Sequence, residues 1–458
     1  MTRTKLLAVV PLLCPGSFLF AQQAIQQPAQ QPAEDAARRA ALERAVAELP
    51  TGPTAVGALQ GSAAPTAPTL RLVDLSLDLM TAAGWSSEPD DVLADLQGGG
   101  HDPKKRGFTL QQAELSMVGA VDPYFTGHLH LVALLDPDEG ETNVELEEAY
   151  LRSLALPGGL QLKAGTYLTE FGRINDRHPH QWDFQDQPVI HTRVFGADGM
   201  RGPGARLSWL LPTEHYVEVI AGVQNANGET MTSFLANDEV YEERPIGGRA
   251  FVERPTRSAA DLVYTGRAMT TFALGDDENL DLGASAVFGP NATGEGADTM
   301  IYGADFAFVW RPEHGERGWP FLKVQGEYVA RAFDAAAQVD DTDPMAPVTV
   351  PGATLRDQGC YLQGLYGFTP GWTLGLRLDW AGGSGDSYLR DSQQFGRELD
   401  PYRSDRVRLT PMLAYHPSEF SRIRLQYDYD HADDLDRDAH SVWLGFEILI
   451  GAHPPHSY

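Results

Sequence analysis

The residues best suited to chemistry in this sequence are charged side chains that recur at every second position of short segments. Arginines form one set, near the end of the chain: Arg377, Arg406, Arg408, Arg422 and Arg424. Carboxylates form another set, in the first third of the chain: Asp74, Asp78, Glu114, Glu145 and Glu147. Fixed charges of opposite sign across a narrow aqueous space create a field that orients dipolar solutes and steers ions. The alternative is that these charges pair with loop residues and only keep the interior hydrated.

A long segment, residues 169–200, concentrates aromatic, charged and histidine side chains. Its candidates for contact with a solute are Arg173, His178, His180, Asp183 and Asp186. A segment that mixes apolar and charged side chains is unfavourable in open water. The composition therefore predicts that this segment folds against the rest of the molecule, where it would present these side chains in a confined space.

Histidines offer a further kind of chemistry. His128 and His130 stand two residues apart, and the neighbouring segments carry Glu114, Glu145 and Glu147. Imidazole and carboxylate ligands together suit Zn²⁺. Because 13 histidines in a polar interior produce such neighbours by chance, the sequence predicts no metal and no cofactor. His128 and His130 are the candidates if a metal does bind.

The sequence carries no familiar catalytic motif. G-x-S-x-G, the Walker phosphate loop, H-E-x-x-H and C-x-x-C are all missing. We therefore predict that the protein is not an enzyme. An Asp and His pair on the rim of the molecule is the alternative that the sequence leaves open.

Composition narrows the classes of function further. The chain has 458 residues, a net charge of −28 and 42% hydrophobic residues. Its acidity argues against nucleic acid as a partner, because phosphate binding needs a basic face. Its apolar content is too high for a disordered chain. Beyond residue 21 there is no apolar run of the length that a membrane-spanning helix needs, so a soluble protein or a β-barrel remains.

From residue 70 onward, apolar and polar side chains alternate, which indicates strands with one apolar and one polar face. Leu374, Leu376 and Leu378, for example, alternate with Arg377 and Asp379. Sixteen such strands are predicted, beginning near residues 71, 110, 124, 143, 160, 202, 215, 260, 280, 300, 320, 357, 372, 404, 420 and 440. In the fourth strand the alternation changes parity near Glu147 and Glu148, which predicts a β-bulge.

The connections between these strands alternate between short turns and long loops. Together with an even number of strands, this pattern predicts an all-β fold, a transmembrane antiparallel up-and-down β-barrel. Trp209, Tyr264 and Trp310 lie near strand ends, as the aromatic girdles of membrane barrels do. The alternative, a soluble β-sandwich, has fewer strands and does not explain the asymmetry of the loops.

In such a barrel the apolar face meets lipid and the polar face meets a wet lumen. The five arginines then form a basic wall of the lumen, and the five carboxylates form an acidic wall. Since the last strand pairs with the first, the two walls begin close together and run opposite ways around the barrel. The barrel domain is predicted to span residues 70–458.

The residues before the barrel predict export. Arg3 and Lys5 precede an apolar stretch, so residues 1–21 are predicted to be a signal peptide. Its removal takes Cys14 away and leaves Cys360 alone, without a disulfide. Residues 22–69 are predicted to be a low-complexity periplasmic segment with a short helix and a linker.

Several short motifs allow a comparison with a known family. Leu162-Lys163-Ala164-Gly165, Glu170-Phe171-Gly172-Arg173, Arg201-Gly202-Pro203-Gly204 and the end of the chain from residue 446 resemble porin-like outer-membrane proteins of the phosphate-selective type. The resemblance covers about residues 70–458 and is greatest to an uncharacterised branch labelled zinc-regulated or TonB-dependent. It implies a homotrimer whose third extracellular loop, here residues 169–200, folds inward.

The sequence thus predicts a porin in the outer membrane of a Gram-negative bacterium. Small hydrophilic solutes or ions would diffuse passively through it, and residues 169–200 would constrict the pore. Its surroundings would be outer-membrane lipid and lipopolysaccharide. The alternative function is a metal- or ligand-capture receptor, related to zinc and linked to TonB, with a plugged lumen.

Overall fold

The computed structural model describes residues 73–451 except 136–139, 155, 314, 317, 341–344, 346 and 389–393. The predicted signal peptide and the predicted periplasmic segment, residues 1–21 and 22–69, lie outside the described residues. Both assignments remain predictions, and so does the domain boundary at residue 70.

Sixteen antiparallel strands form one closed barrel in chain order, and the last strand pairs with the first. They are β1 (Val73–Ser86), β2 (Gly107–Ala120), β3 (Phe125–Leu135), β4 (Thr142–Ser153), β5 (Leu160–Leu168), β6 (Arg201–Leu210), β7 (Tyr216–Asn225), β8 (Leu262–Ala273), β9 (Glu278–Pro290), β10 (Asp298–Trp310), β11 (Phe321–Ala335), β12 (Ala353–Thr369), β13 (Trp372–Ser384), β14 (Arg406–Ser418), β15 (Ser421–Ala432) and β16 (Ala439–Gly451). The predicted fold class, strand number and up-and-down order are confirmed.

The connections carry the remaining elements. Short helices are α1 (Asp90–Leu96), α2 (Val189–Phe195) and α3 (Asp238–Glu243), and single 3₁₀ turns occur at Pro157–Gly159, Pro179–Gln181, Ile246–Gly248, Ala259–Asp261 and Arg397–Leu399. Two small hairpins pair Gln338–Asp340 with Val348–Val350 and Ser387–Tyr388 with Gln394–Phe395. Among the described residues, no helix is long and apolar enough to cross a membrane.

The period-two pattern places apolar side chains on the outside of the barrel. On β13, Leu374, Leu376 and Leu378 are 46–51% exposed, while Arg377 and Asp379 between them are at most 2% exposed. A closed barrel satisfies its backbone hydrogen bonds internally, so an outward apolar face fits a lipid environment. The inward face carries the charged residues on which the site depends.

A charge on the outer face should therefore be costly only where the barrel meets lipid. Replacing Leu376 by arginine is expected to destabilise the folded protein by about 2–4 kcal/mol, as for a lipid-facing cation near the midplane. Leu399→Arg, in an exposed loop position, is the matched control and should change stability little. Urea unfolding in phospholipid vesicles measures both variants. Equal effects would contradict the assignment of the outer face.

The predicted bulge in β4 is confirmed and shapes the lumen. His130 pairs with Glu148 and Leu131 pairs with Leu146, so Glu147 is the extra residue in the ladder. Two consecutive side chains, Glu147 and Glu148, are consequently buried, where regular alternation would turn one of them outward. The bulge thus adds a second carboxylate to the inner wall.

The lumen is not polar along its whole length. Its apolar residues on the strands near the long loops are Val263, Val287, Ile301, Val329 and Ala381. They form one buried cluster with loop residues that include Phe171, Ile190, Val194, Phe195, Met231 and Phe234. The expectation of a polar inner face on every strand is wrong here, because the loops cover these positions and exclude water from them.

Candidate functional site

Residues 169–200, hereafter the lumen segment, contact inward-facing side chains on widely separated strands. Arg173 donates through Nε to Asp305 on β10 at 3.0 Å and pairs through Nη1 with Asp281 on β9 at 3.3 Å. Asp183 accepts from Lys323 Nζ on β11 at 2.9 Å. The lumen segment connects β5 to β6, and β9, β10 and β11 lie further around the barrel wall. To reach them, the segment crosses the interior of the barrel.

The segment is also held on the opposite side. Asp186 accepts from Arg377 Nη2 at 2.9 Å, from Gln426 Nε2 at 2.6 Å and from Arg408. Burial disfavours the charged carboxylate, but Arg377 and Arg408 outweigh it and hold the pKa of Asp186 below its usual value. Asp186 is therefore an ionised anchor with no exposure to bulk water.

The five arginines predicted as a basic wall all lie inside the barrel, buried: Arg377, Arg406, Arg408, Arg422 and Arg424. Three inward-facing carboxylates, on β13, β15 and β16, pair with them. Asp379 accepts from Arg377 at 2.8 Å. Asp430 accepts from Arg406 and Arg408 at 2.7 and 2.9 Å. Glu447 accepts from Arg422 and Arg424 at 2.5 and 3.1 Å.

These contacts change what the arginines do. Arg422 also donates to the carbonyls of His180 and Trp182, and Arg424 to the carbonyls of Trp182 and Phe184. Guanidinium groups that satisfy both carboxylates and loop carbonyls hold the lumen segment in place. Pairing with loop residues, the alternative noted from the sequence, describes these contacts, and their role in selectivity remains a proposal.

The carboxylates predicted as an acidic wall differ in their surroundings. Asp78, Glu114 and Glu147 are buried on the inner face. Glu145 is partly exposed and pairs with Arg201 at 2.8 Å. Asp74 is exposed and lines a cavity near the first residues of β1. The set is thus spread from the cavity to the lumen segment rather than forming one continuous surface.

That cavity, hereafter the vestibule, has a volume of about 780 Å³. Its charged and histidine lining is Asp74, His128, His130, Glu148, Arg152, Lys163, Asp176, Arg177, His178, His180, Asp183, Lys323, His416 and Arg422. The strand residues among them lie mainly at strand ends that meet short turns. The vestibule therefore occupies the short-turn end of the barrel, and the lumen segment forms its floor.

The vestibule floor carries a compact group of histidines and carboxylates. His178 Nδ1 lies 2.8 Å from Glu147 Oε2, and its Nε2 lies 2.9 Å from Glu148 Oε2. His180 Nδ1 lies 3.0 Å from Glu114 Oε2. Burial opposes protonation of His178, but Glu114 and Glu147 outweigh it and hold its pKa well above the usual range. The two histidines join the lumen segment to β2 and β4.

Among the residues that the structure describes, two overlapping sets have the composition and proximity to hold a metal ion: Glu114, His130 and His178, and Asp78, Glu114 and His180. Of the two histidines that the sequence singles out, His130 belongs to the first set. His128 stacks instead on Tyr150, with ring centroids 4.6 Å apart. The loop histidines take its place because the lumen segment passes directly over β2.

Several residues of the site were not predicted from the sequence. Glu148, Lys163 and Lys323 all contact or face the lumen segment. The parity change in β4 was a signal that Glu148 faces inward. Lysines at single positions of regular strands gave no comparable signal.

Known proteins resemble this chain in fold. No family model matches it. An uncharacterized protein of Aquifex aeolicus is 28% identical over 415 residues, covering 84% of this chain and 80% of that protein. The structure of OprB from Pseudomonas putida is 11% identical in sequence and aligns with a TM-score of 0.50. The alignment covers 83% of this chain and 94% of the OprB chain. The structure of an anion-selective porin from Comamonas acidovorans is 10% identical and aligns with a TM-score of 0.49. The alignment covers 82% of this chain and 99% of that porin.

Fold and surface together define the class of protein. A closed barrel of sixteen strands with an apolar outer face is an outer-membrane β-barrel. The barrel is porin-like in fold.

Proposed function

We propose that this protein is an outer-membrane channel for passive diffusion of small hydrophilic solutes or ions, in which the lumen segment constricts the pore. The observation that carries the proposal is a charged vestibule whose floor is the lumen segment, inside a barrel with an apolar outer face. Diffusion through such a pore requires no catalytic step. Outer-membrane lipid and lipopolysaccharide are the proposed surroundings, and a homotrimer is the proposed assembly.

The charge of the vestibule supports preference for anionic solutes. Its cationic residues are Arg152, Lys163, Arg177, Lys323 and Arg422, and its carboxylates are Asp74, Glu148, Asp176 and Asp183. The whole chain has a net charge of −28. The lining of the vestibule, in contrast, has at least as many cationic side chains as carboxylates. Local charge at a constriction, rather than net charge, determines which ions enter.

Removing one vestibule cation should shift ion selectivity. In water, the interaction energy between a unit charge and an ion about 10 Å away is about 0.4 kcal/mol. This energy changes the local concentration of the ion about twofold. Arg422→Gln is therefore expected to lower the anion-to-cation permeability ratio about twofold. Reversal potentials across planar bilayers under a salt gradient measure the ratio.

Two variants control this experiment. Arg422→Lys keeps the charge and should retain the native ratio. Arg437→Gln removes a largely exposed arginine that does not line the vestibule and should change the ratio less. Identical ratios in Arg422→Gln and the native protein would reject a role for the basic residues in selectivity.

One observation favours the second candidate, a metal- or ligand-capture receptor with a plugged lumen. The apolar cluster fills the lumen near the long loops with side chains from two loops and five strands. A receptor of this kind would bind its ligand without conducting ions. Bilayers that contain the protein would then stay closed.

A further inference from the structure

Three imidazoles converge on one buried carboxylate at the floor of the vestibule. Glu114 Oε1 lies 3.1 Å from His130 Nδ1. Glu114 Oε2 lies 3.5 Å from His178 Nδ1 and 3.0 Å from His180 Nδ1. The four residues come from β2, β3 and the lumen segment, so the folded barrel alone brings them together.

These spacings match the edges of a metal coordination sphere. Zinc binds imidazole nitrogen and carboxylate oxygen at about 2.0–2.2 Å, so ligand atoms around a tetrahedral ion lie about 3.3–3.6 Å apart. Glu114 Oε1 lies 3.1 Å from His130 Nδ1, and Glu114 Oε2 lies 3.5 Å from His178 Nδ1. One ligand atom from each of the three residues lies within 4.8 Å of the other two. Small side-chain movements would bring all three ligand atoms within bonding distance of one ion.

Residues around the three ligands resemble the outer shell of a metal site. His178 Nδ1 lies between Glu147 Oε2 at 2.8 Å and Glu114 Oε2 at 3.5 Å, and its Nε2 lies 2.9 Å from Glu148 Oε2. The other oxygen of Glu148 accepts from the backbone N–H of Leu168 at 2.8 Å. A carboxylate that accepts from the distal imidazole nitrogen fixes the tautomer and orientation of a metal-binding histidine. The β4 bulge is what turns Glu148 toward this position.

The site also has an entry path and unused acceptor capacity. His130, His178 and His180 all line the vestibule, so an ion reaches them from water without opening the barrel. Asp78, 3.8 Å from His180 Nδ1, has a buried Oδ1 with no hydrogen-bond partner among the described residues. A buried carboxylate oxygen in this state is stabilised by a nearby cation.

We propose that Glu114, His130 and His178 bind one divalent transition-metal ion of the Zn²⁺ type, with its fourth position open to the vestibule. His180 and Asp78 lie beside the ion, and the Asp78 carboxylate balances part of its charge. The donor set of two imidazoles and one carboxylate, with an open position, is that of accessible rather than purely structural zinc sites. The site does not rest on the channel function, because it is defined by the folded barrel and not by solute flow.

Metal binding to the purified full-length protein in detergent tests the proposal. After removal of metals with a chelator, titration calorimetry with Zn²⁺ is expected to give one site per chain. His178→Ala and His130→Ala should each weaken binding at least about 100-fold, and Glu148→Gln about 10- to 100-fold. His128→Ala, two residues from a ligand on the same strand, is the matched control and should bind as the native protein does.

Cobalt provides a second readout. Co²⁺ bound to the native protein is expected to give the visible absorption of a four-coordinate ion, lost in His130→Ala. Because His130 is partly exposed, this variant is expected to fold even if His178→Ala does not. Absence of stoichiometric Zn²⁺ binding, or equal loss in His128→Ala, would overturn the proposal and leave a network of hydrogen bonds between histidines and carboxylates. Conductance of the metal-free protein, measured separately, reports on the channel function alone.

Discussion

Replacing Asp186 by asparagine is expected to destabilise the folded protein by about 3–5 kcal/mol, the range found when one partner of a buried ion pair is removed. The side chain keeps its size but loses its charge. Of its carboxylate partners, Arg377 then keeps Asp379. Arg408 keeps Asp430, which it shares with Arg406. Because these guanidinium groups are fully buried, water does not replace the lost charge. Urea unfolding in phospholipid vesicles, followed by tryptophan fluorescence, measures the change.

A control in the same segment separates this effect from a general sensitivity of the loop. Asp198 is partly exposed and lies 3.9 Å from its histidine partner, His101, so Asp198→Asn should change stability by less than about 1 kcal/mol. Asp186→Asn should also expose the lumen segment to added protease at lower urea concentrations. Equal stability of the two variants would contradict the anchoring role of Asp186.

Truncation of Phe171 to alanine is expected to cost about 3–5 kcal/mol, the range for large-to-small changes in a packed core. The ring is fully buried and packs edge-on against Phe195 with centroids 5.0 Å apart. It also lies directly over the backbone of Gly303, where an added Cβ would stand 3.0 Å from the ring. The surrounding strands belong to a closed barrel and cannot collapse into the vacated space.

Phe108→Ala is the matched control for this truncation. Phe108 is 92% exposed at the beginning of β2, so its removal should change stability by about 0.5 kcal/mol or less. The same urea titrations compare the two variants. A small effect of Phe171→Ala would mean that the lumen segment does not pack against β8–β11 as described.

The barrel itself could be predicted from the sequence because its main determinant is local. Alternation along a strand requires no knowledge of partners, so Leu376 and Arg377 reveal their faces by position alone. The same reasoning located the bulge near Glu147 and Glu148, since a bulge shifts the parity of the residues that follow it. The number of alternating segments then gave the number of strands, and the alternation of short turns with long loops predicted the up-and-down topology.

The partners of the charged residues could not be predicted in the same way. Arg408 lies opposite Asp430, and Arg422 lies opposite Glu447, but these pairs depend on the register between strands. Register follows from the stagger of the whole barrel and is not encoded within one strand. The sequence therefore located the arginines of the basic wall on the inner face but did not reveal the carboxylates with which they pair.

The sequence predicted that the lumen segment folds against the rest of the molecule, but it did not predict which strands the segment contacts. His178 reaches Glu147 and Glu148 only because the chain crosses the interior after β5, and no periodicity describes an irregular segment. Apolar inward residues such as Val287 and Val329 were a signal that part of the lumen is dry. That signal is weak, because isolated apolar residues on a polar face are common.

The most direct test of the channel proposal is the conductance of single molecules of the purified full-length protein in planar lipid bilayers. We expect steady, ohmic current steps, because the proposed passive diffusion needs a hydrated path past the lumen segment from the vestibule to the loops. Bilayers that stay closed, although protease protection shows the barrel inserted, would contradict passive diffusion through this lumen.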